Sequence, residues 1–211
     1  PFNSARKWSA VEFSEQGTFF IGAPDILIGA SDIDARTQAQ SQAETGRRVL
    51  ALCQSSSPIA EGHTDSTRPV ALILLDDTVR SDAPEILKFF SDQGVSLKVI
   101  SGDNTATVST VASRAGVPNA DLSVDARTLE NDADLSKAIK ESTVFGRVTP
   151  HQKRSMVASL QSEGHVVAMT GDGVNDVLAL KDADMGIAMG SGSSASRGVA
   201  QLVLLDNSFS T

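Results

Sequence analysis

The chain has 211 residues, 40% of them hydrophobic, and carries 18 Lys+Arg against 26 Asp+Glu for a net charge of -8. Such an acidic balance fits a soluble cytosolic surface and argues against nucleic acid as the main partner, because phosphate-backbone binding needs a basic one. Cys53 is the only cysteine, so no internal disulfide is possible; no apolar run approaches the roughly 18 residues of a membrane span; and the chain opens at Pro1 with no signal-peptide pattern, as part of something longer would.

VEFSEQGTFFIG reads as two short strands around Gln16 and Gly17. Residues 35–42 are polar and helical in character, and RRVLALC (47–53) is a strand. QSSSPIAEGHTDSTRP (54–69) is rich in Ser, Pro and Gly, lacks periodicity, and reads as a loop near a domain boundary. Residues 1–66 are therefore expected to form one unit and residues 67–211 another.

From Pro69 onward strands and helices alternate. VALILLD (70–76) is a continuous apolar run, as expected of a parallel strand covered on both faces. Ser81 is placed to cap a helix whose stripe Ala83, Ile86, Leu87 and Phe90 follows helical spacing and which Gly94 ends. SLKVIS (96–101) is a strand, and Val108, Val111, Ala112 and Ala115 mark a helix stopped at Gly116. Residues 122–142 read as a short strand and an acidic helix, followed by the strand TVFGRV. Thr149, Pro150 and Gln152 form a strong helix start: a cap, a first-turn proline and a capping-box glutamine. That helix closes at Gly164; HVVAMTG, MGIAMG and QLVLLD are strands, and VNDVLALKDA and SSASRGVA helices. Such a series implies an α/β, Rossmann-like three-layer fold on a parallel sheet, with sites beyond the carboxyl ends of its strands.

Three strands end in polar glycine turns: Ser101-Gly102-Asp103, Gly146-Arg147 and Thr170-Gly171-Asp172-Gly173. Glycine lets backbone N–H groups approach a phosphate. The Ser101 hydroxyl can donate to phosphoryl oxygens, and Lys153, in a first helical turn, can place a point charge on the same group. Asp172 is a hard oxygen ligand suited to Mg²⁺, Asn175 can hydrogen-bond the phosphoryl group, and Asp176 can hold the metal or its waters. Each of these alone is an ordinary turn or surface residue; together, at strand ends of one inferred sheet, they point to a phosphate and a metal. His63, His151 and His165 lie in unrelated contexts and are not read as ligands, and Met169, Met185 and Met189 are expected in the core.

TGDGVNDVLALKDADMGIAMG resembles the hinge-region signature of P-type cation-transporting ATPases, pumps of the haloacid dehalogenase superfamily. Others of that family's motifs are matched in its order: PFNSARKWSAV is similar to its adenine-site segment, GAPD (22–25) to its Lys-Gly-Ala-Pro-Glu, GRRVLALC to its arginine strand, DTVR (77–80) to its Asp-Pro-x-Arg, SGDN to its Thr-Gly-Asp-Asn, and VTPHQK to its lysine segment. The resemblance spans essentially the whole chain. It implies the C-terminal part of a small α+β nucleotide-binding domain (1–66) and a phosphorylation domain (67–211) using ATP and Mg²⁺. Phe2 would stack on adenine with Lys7 beside the nucleotide, and Arg48 would reach toward the phosphates. Asp77 and Arg80 would lie near the ribose, with Gly102 and Asp103 in the same nucleotide and phosphate site. Ser101 and Lys153 would hold the transferred phosphoryl, and Asp172 would bind Mg²⁺ with Asn175 and Asp176 in support.

Two departures are visible: Ile21 stands where the family has the lysine before Gly-Ala-Pro, which predicts weaker ATP binding, and Thr78 stands for the proline of Asp-Pro-x-Arg. A larger one is an absence. The family's nucleophile, the aspartate of Asp-Lys-Thr-Gly-Thr, does not occur in this sequence, and with it goes the central strand of the sheet. Strands ending at Ser101 and Thr170 should flank that strand and be left with unpaired backbone groups, so the chain is expected to need an upstream segment of the same polypeptide to complete the domain. By the same resemblance, transmembrane and actuator domains of the parent pump would be further partners, and this region would lie on the cytoplasmic side of the membrane. On its own the chain would bind ATP and Mg²⁺ without autophosphorylating. Alternatives are a non-hydrolysing nucleotide-binding or regulatory module, or a free-standing phosphatase of the same superfamily, which would also need the missing aspartate.

Overall fold

A computed structural model describes residues 6–56, 67–76 and 78–209. Phe2, His63 and Asp77 lie outside them. The chain divides into two compact units, residues 1–78 and 79–211.

The first unit is a four-stranded antiparallel sheet in the order β1-β2-β3-β4, with β1 Trp8–Phe13, β2 Gly17–Gly22, β3 Arg48–Ser55 and β4 Arg68–Leu75. The β1–β2 turn bends at Gly17 (φ 78°), where a Cβ would stand 2.4 Å from the Ser55 carbonyl oxygen. Strict alternation along β3 buries Val49, Ala51, Cys53 and Ser55 on one face. Helices α1 (Pro24–Leu27) and α2 (Ile33–Glu44) cover that face. The otherwise polar α2 buries only Ala39 and Ala43, four apart and small enough to let the helix lie close on the sheet. Trp8, Phe20, Leu27 and Ile28 complete this core, with Trp8 and Phe20 edge to face at 5.2 Å.

β4 corrects an expectation. Its apolar run was expected to open the parallel sheet of the second unit; it is instead the antiparallel edge of the first, in register with β3 from Arg48↔Leu75 to Gln54↔Arg68 across one bulge. Val70, Leu74 and Leu75 remain exposed, so the strand is not covered on both faces. An apolar run specifies a strand but not its partner, and β3 offered a free edge. The boundary between the units accordingly falls after Thr78 rather than near residue 66.

The second unit alternates α3 (Ala83–Asp92), β5 (Val99–Ile100), α4 (Thr105–Arg114), β6 (Ser123–Asp125), α5 (Asp132–Glu141), β7 (Val144–Gly146), α6 (Pro150–Ser162), β8 (Ala168–Gly171), α7 (Val177–Asp182), β9 (Met185–Met189), α8 (Ser194–Val199) and β10 (Leu202–Leu204). All strand pairs are parallel. They form two three-stranded sheets, β5-β7-β6 and β10-β9-β8. The strands ending before Ser101 and at Gly171 do not pair with each other; each is the last strand of its own sheet.

Local signals hold at most helix ends. Thr149 and Gln152 form the capping box at α6, and Gly94, Gly116 and Gly164 turn the chain with φ near 80° after α3, α4 and α6. Ser81 does not cap α3: Asp82 occupies that position, its carboxylate held by Arg80. The strand expected over 96–101 shrinks to the two residues of β5 that find a partner in β7. Met169 is buried as expected, whereas Met185 is exposed at the first position of β9. Phe145, Ile139, Met156 and Leu135 centre one core, Val108, Ala112 and Val144 a second, and Val157, Met169 and Leu180 a third. α3 has the apolar stripe foreseen, yet none of its residues is fully buried and Phe89 is 59% exposed.

Candidate active site

Parallel strands deliver their carboxyl ends to one side of a sheet. In the second unit β5 delivers Ser101, β7 delivers Arg147, and β8 delivers Asp172. Two of these turns are bonded together. Ser101 N–H donates to Phe145 O, Val148 N–H to Ser101 O (2.9 Å), and Arg147 N–H to Asp103 O (2.8 Å). Arg147 is buried and takes a left-handed backbone (φ 57°) to make this turn. Gly146 leaves no room for a side chain, since a Cβ would meet Thr105 Oγ1 at 2.3 Å and Thr105 Cα at 2.4 Å. The Ser101 hydroxyl accepts from Asp103 N–H at 3.1 Å. That bond occupies a lone pair and leaves the hydroxyl proton for another acceptor. Gly102 is exposed at the tip of the turn, and Asn104 caps α4 through Ala106 N–H.

Val148 leads directly into α6, whose first turn carries Lys153. Lys153 is buried, and its Nζ lies 2.6 Å from Asp176 Oδ1. Asp176 Oδ2 accepts from Gly173 N–H at 3.1 Å. Gly171 is required beneath it, because a Cβ there would stand 2.6 Å from Asp176 Cβ. Both oxygens of Asp176 are thus engaged within the protein. Asp172 is the converse: its carboxylate is exposed and makes no hydrogen bond among the described residues, while its carbonyl accepts Ser193 N–H at 2.7 Å and Ser196 Oγ–H at 3.0 Å. Asn175 is exposed.

Arg80 makes a bidentate pair with Asp82, both bonds at 3.0 Å, and donates to Asn207 O at 2.7 Å. The Asp82 carboxylate hydrogen bonds hold its guanidinium proton more tightly than usual and draw the Asp82 carboxyl below its ordinary range. In the first unit Lys7 adopts φ 61° and accepts Ala23 N–H at 3.1 Å through its carbonyl. A Cβ on Gly22 would stand 2.4 Å from that carbonyl oxygen. Lys7 and the 22–25 segment, two separate motifs in sequence, are therefore packed together. Ile21 sits on β2 between Ser9 and Leu52, and Arg48 opens β3 exposed.

Residues 5–184 match the haloacid dehalogenase-like hydrolase family. The chain belongs to that family. The whole of this haloacid dehalogenase-like hydrolase is 52% identical to the calcium-transporting ATPase CtpE of Mycobacterium bovis and 51% identical to that of Mycolicibacterium smegmatis, covering 26% of each. It is 42% identical over 99% of its length to the probable cation-transporting ATPase exp7 of Streptococcus pneumoniae, covering 27% of it. The chain thus spans about a quarter of the length of these relatives. Among its described residues no helix is long and apolar enough to cross a membrane.

The donor set in this hydrolase fits Mg²⁺, which takes one or two carboxylates and fills its remaining positions with water and phosphate. Asp172 offers one unengaged carboxylate, and among the described residues no cluster of three or more His, Cys, Asp or Glu forms an all-protein cage. Sequence pattern alone did not reveal the Lys153–Asp176 pair, 23 residues apart, or the contact of Ser193 and Ser196 with Asp172. Glycine at 171 makes room for the Asp176 side chain, and glycine at 192 for the Asp172 backbone.

Proposed function

We propose that the chain is the cytoplasmic nucleotide-binding and phosphorylation region of a P-type cation pump, with ATP as phosphoryl donor and an aspartate on an upstream segment of the same polypeptide as nucleophile. One observation carries this reading: Ser101 and Asp172 follow β5 and β8, each an edge strand of its own sheet and not paired to the other, and four residues after Asp172 the buried Asp176 holds Lys153. A strand entering between β5 and β8 would satisfy both free edges and would place its terminal side chain among these groups.

In this scheme a carboxylate oxygen bonds to the γ-phosphorus while the bond to the ADP oxygen breaks. Catalysis is positioning and charge stabilisation rather than covalent work by the chain's own side chains. Ser101 donates its free proton to a phosphoryl oxygen. Lys153, held on Asp176, supplies a positive charge in a water-poor setting, where it counts for more than in bulk solvent. Asp172 holds Mg²⁺, which when bound neutralises phosphoryl charge. In the first unit Lys7, Arg48 and Phe2 take the nucleotide, with Ile21 lowering its affinity. Asp77 and Arg80 serve at the hinge, Arg80 chiefly by tying Asp82 to Asn207. Transmembrane and actuator domains elsewhere in the polypeptide would couple phosphorylation to transport. Ca²⁺ is the first cargo to test, since it is the ion named for the 52%-identical relatives.

The experiment is acid-quenched phosphorylation of the full-length protein with γ-labelled ATP. An acid-stable, hydroxylamine-sensitive, Mg²⁺-dependent phosphoenzyme, lost in Lys153→Met and driving Ca²⁺ into sealed vesicles, is the expected result. Nucleotide binding without any such phosphoenzyme would overturn the proposal in favour of a non-hydrolysing module.

A further inference from the structure

The segment 190–197, from the turn after β9 into the first turn of α8, has no role in the chemistry proposed above, yet two of its residues converge on the main chain of Asp172. Ser193 N–H donates to Asp172 O at 2.7 Å, and Ser196 Oγ lies 3.0 Å from the same oxygen. Gly192 has no room for a side chain: a Cβ would stand 2.8 Å from Asp172 O and 3.0 Å from Asp172 Cα. Ser196 is fully buried, so its hydroxyl must be satisfied inside the protein.

The partners of its hydroxyl are few. Ser193 Oγ accepts Ser196 N–H at 3.0 Å as the cap of α8. Its own proton is then free to go to Ser196 Oγ, 2.8 Å away. Ser196, having accepted there, donates its single proton onward, and its two candidate acceptors are Asp172 O at 3.0 Å and Ser193 O at 2.9 Å. Donation to Asp172 O gives a carbonyl with two donors on its two lone pairs.

The segment is itself anchored. Ser191 donates through N–H and Oγ–H to Asn207 Oδ1, at 2.9 and 3.0 Å. Arg197 donates to the carbonyls of Gly190 and Gly192. Asn207 holds φ 57° and accepts Arg80 on its carbonyl. Arg80 is thus bonded to Asn207 and Asn207 to Ser191, and two residues along the chain from Ser191 the Ser193 N–H reaches Asp172 O.

We propose that Ser196 is a positioning residue for Asp172: by fixing the Asp172 carbonyl it sets the direction of a carboxylate left free for a divalent cation. This rests on the assignment of Asp172 as the Mg²⁺ ligand. Ser196 touches no reacting atom; it acts through the backbone of the residue that does. Outer-shell partners of metal ligands commonly carry about 10-fold in metal affinity.

The test uses the full-length protein and a readout that needs no turnover. Fe²⁺ with ascorbate and peroxide replaces Mg²⁺ and cuts the backbone within reach of the bound ion; competition by Mg²⁺ against the cut at residues 171–173 gives the Mg²⁺ affinity. Ser196→Ala is expected to weaken Mg²⁺ about 10-fold, with ATP affinity measured without metal unchanged. Ser196→Cys preserves the fold if the alanine does not, since it nearly keeps the volume while offering only a weak donor, and should weaken Mg²⁺ likewise. Ser194→Ala, exposed on the same helix, should leave the affinity unchanged. Equal Mg²⁺ affinity in wild type and both Ser196 variants overturns the positioning role alone. No cut at 171–173 in the wild type overturns the metal assignment itself, and the Ser196 role with it.

Discussion

Breaking the Lys153–Asp176 pair should be among the most damaging single changes in the second unit. The Nζ–Oδ1 separation is 2.6 Å, and the two side chains are only 11% and 10% exposed. Removing each charge from water costs several kcal/mol, and their mutual attraction offsets that cost only while both are present. Asp176→Asn keeps the shape and the acceptor for Gly173 N–H but leaves the ammonium facing a neutral amide, with an expected loss of about 3–5 kcal/mol. Lys153→Met should cost a similar amount. The double variant Lys153→Met, Asp176→Leu removes both charges and should fall far short of the sum, because no uncompensated charge remains. The assay is urea unfolding followed by far-UV circular dichroism. Trp8, the only tryptophan, is buried in the core of the first unit and reports on that unit instead. Two units need not unfold as one, so the two signals are fitted separately. The variants should move the dichroism transition of the helix-rich second unit and leave the tryptophan transition in place. A loss under about 1 kcal/mol for Asp176→Asn, with additive single changes, would show a solvent-screened pair and refute the reasoning.

Gly146→Ala should cost about 1–3 kcal/mol by the same dichroism assay, because the added Cβ meets Thr105 backbone rather than the end of a flexible side chain. Cys53 is fully buried, and burial is the main cause raising its thiol pKa to about 11. Alkylation at pH 8 should therefore be slow in the native protein and accelerate in urea together with the Trp8 transition; rapid native labelling would contradict the burial. Hydrogen bonds from the Arg127 guanidinium hold the Asp125 carboxyl below its usual range. A lowered carboxylate pKa contributes stability above the unfolded value of about 3.9 and loses it as pH falls through the folded value. Arg127→Ala should thus cost a few tenths of a kcal/mol at pH 7, the pair being partly exposed, and progressively less as pH falls below the unfolded value and through the folded one.

Much of the local structure and the residue types of the candidate site were legible in the residues alone. The turn at Gln16-Gly17, the capping box at Thr149 and the glycine stops at 94, 116 and 164 depend on neighbours within a few positions, where backbone sterics and short hydrogen bonds decide. Ser101, Lys153 and Asp172 were recognisable as strand-end or helix-start groups for the same reason. The sequence also determined that a strand lay near 70–76, that Asp-Lys-Thr-Gly-Thr does not occur in it, and that the strands before Ser101 and Asp172 would not satisfy each other. Tertiary structure decided which edge β4 joined, and so moved the boundary between the units to Thr78. It alone paired Lys153 with Asp176 and brought Ser193 and Ser196 onto the Asp172 carbonyl. Those choices rest on contacts between residues 14 or more positions apart. An apolar run or a buried serine states a need for a partner, and only the packed chain determines which partner is within reach.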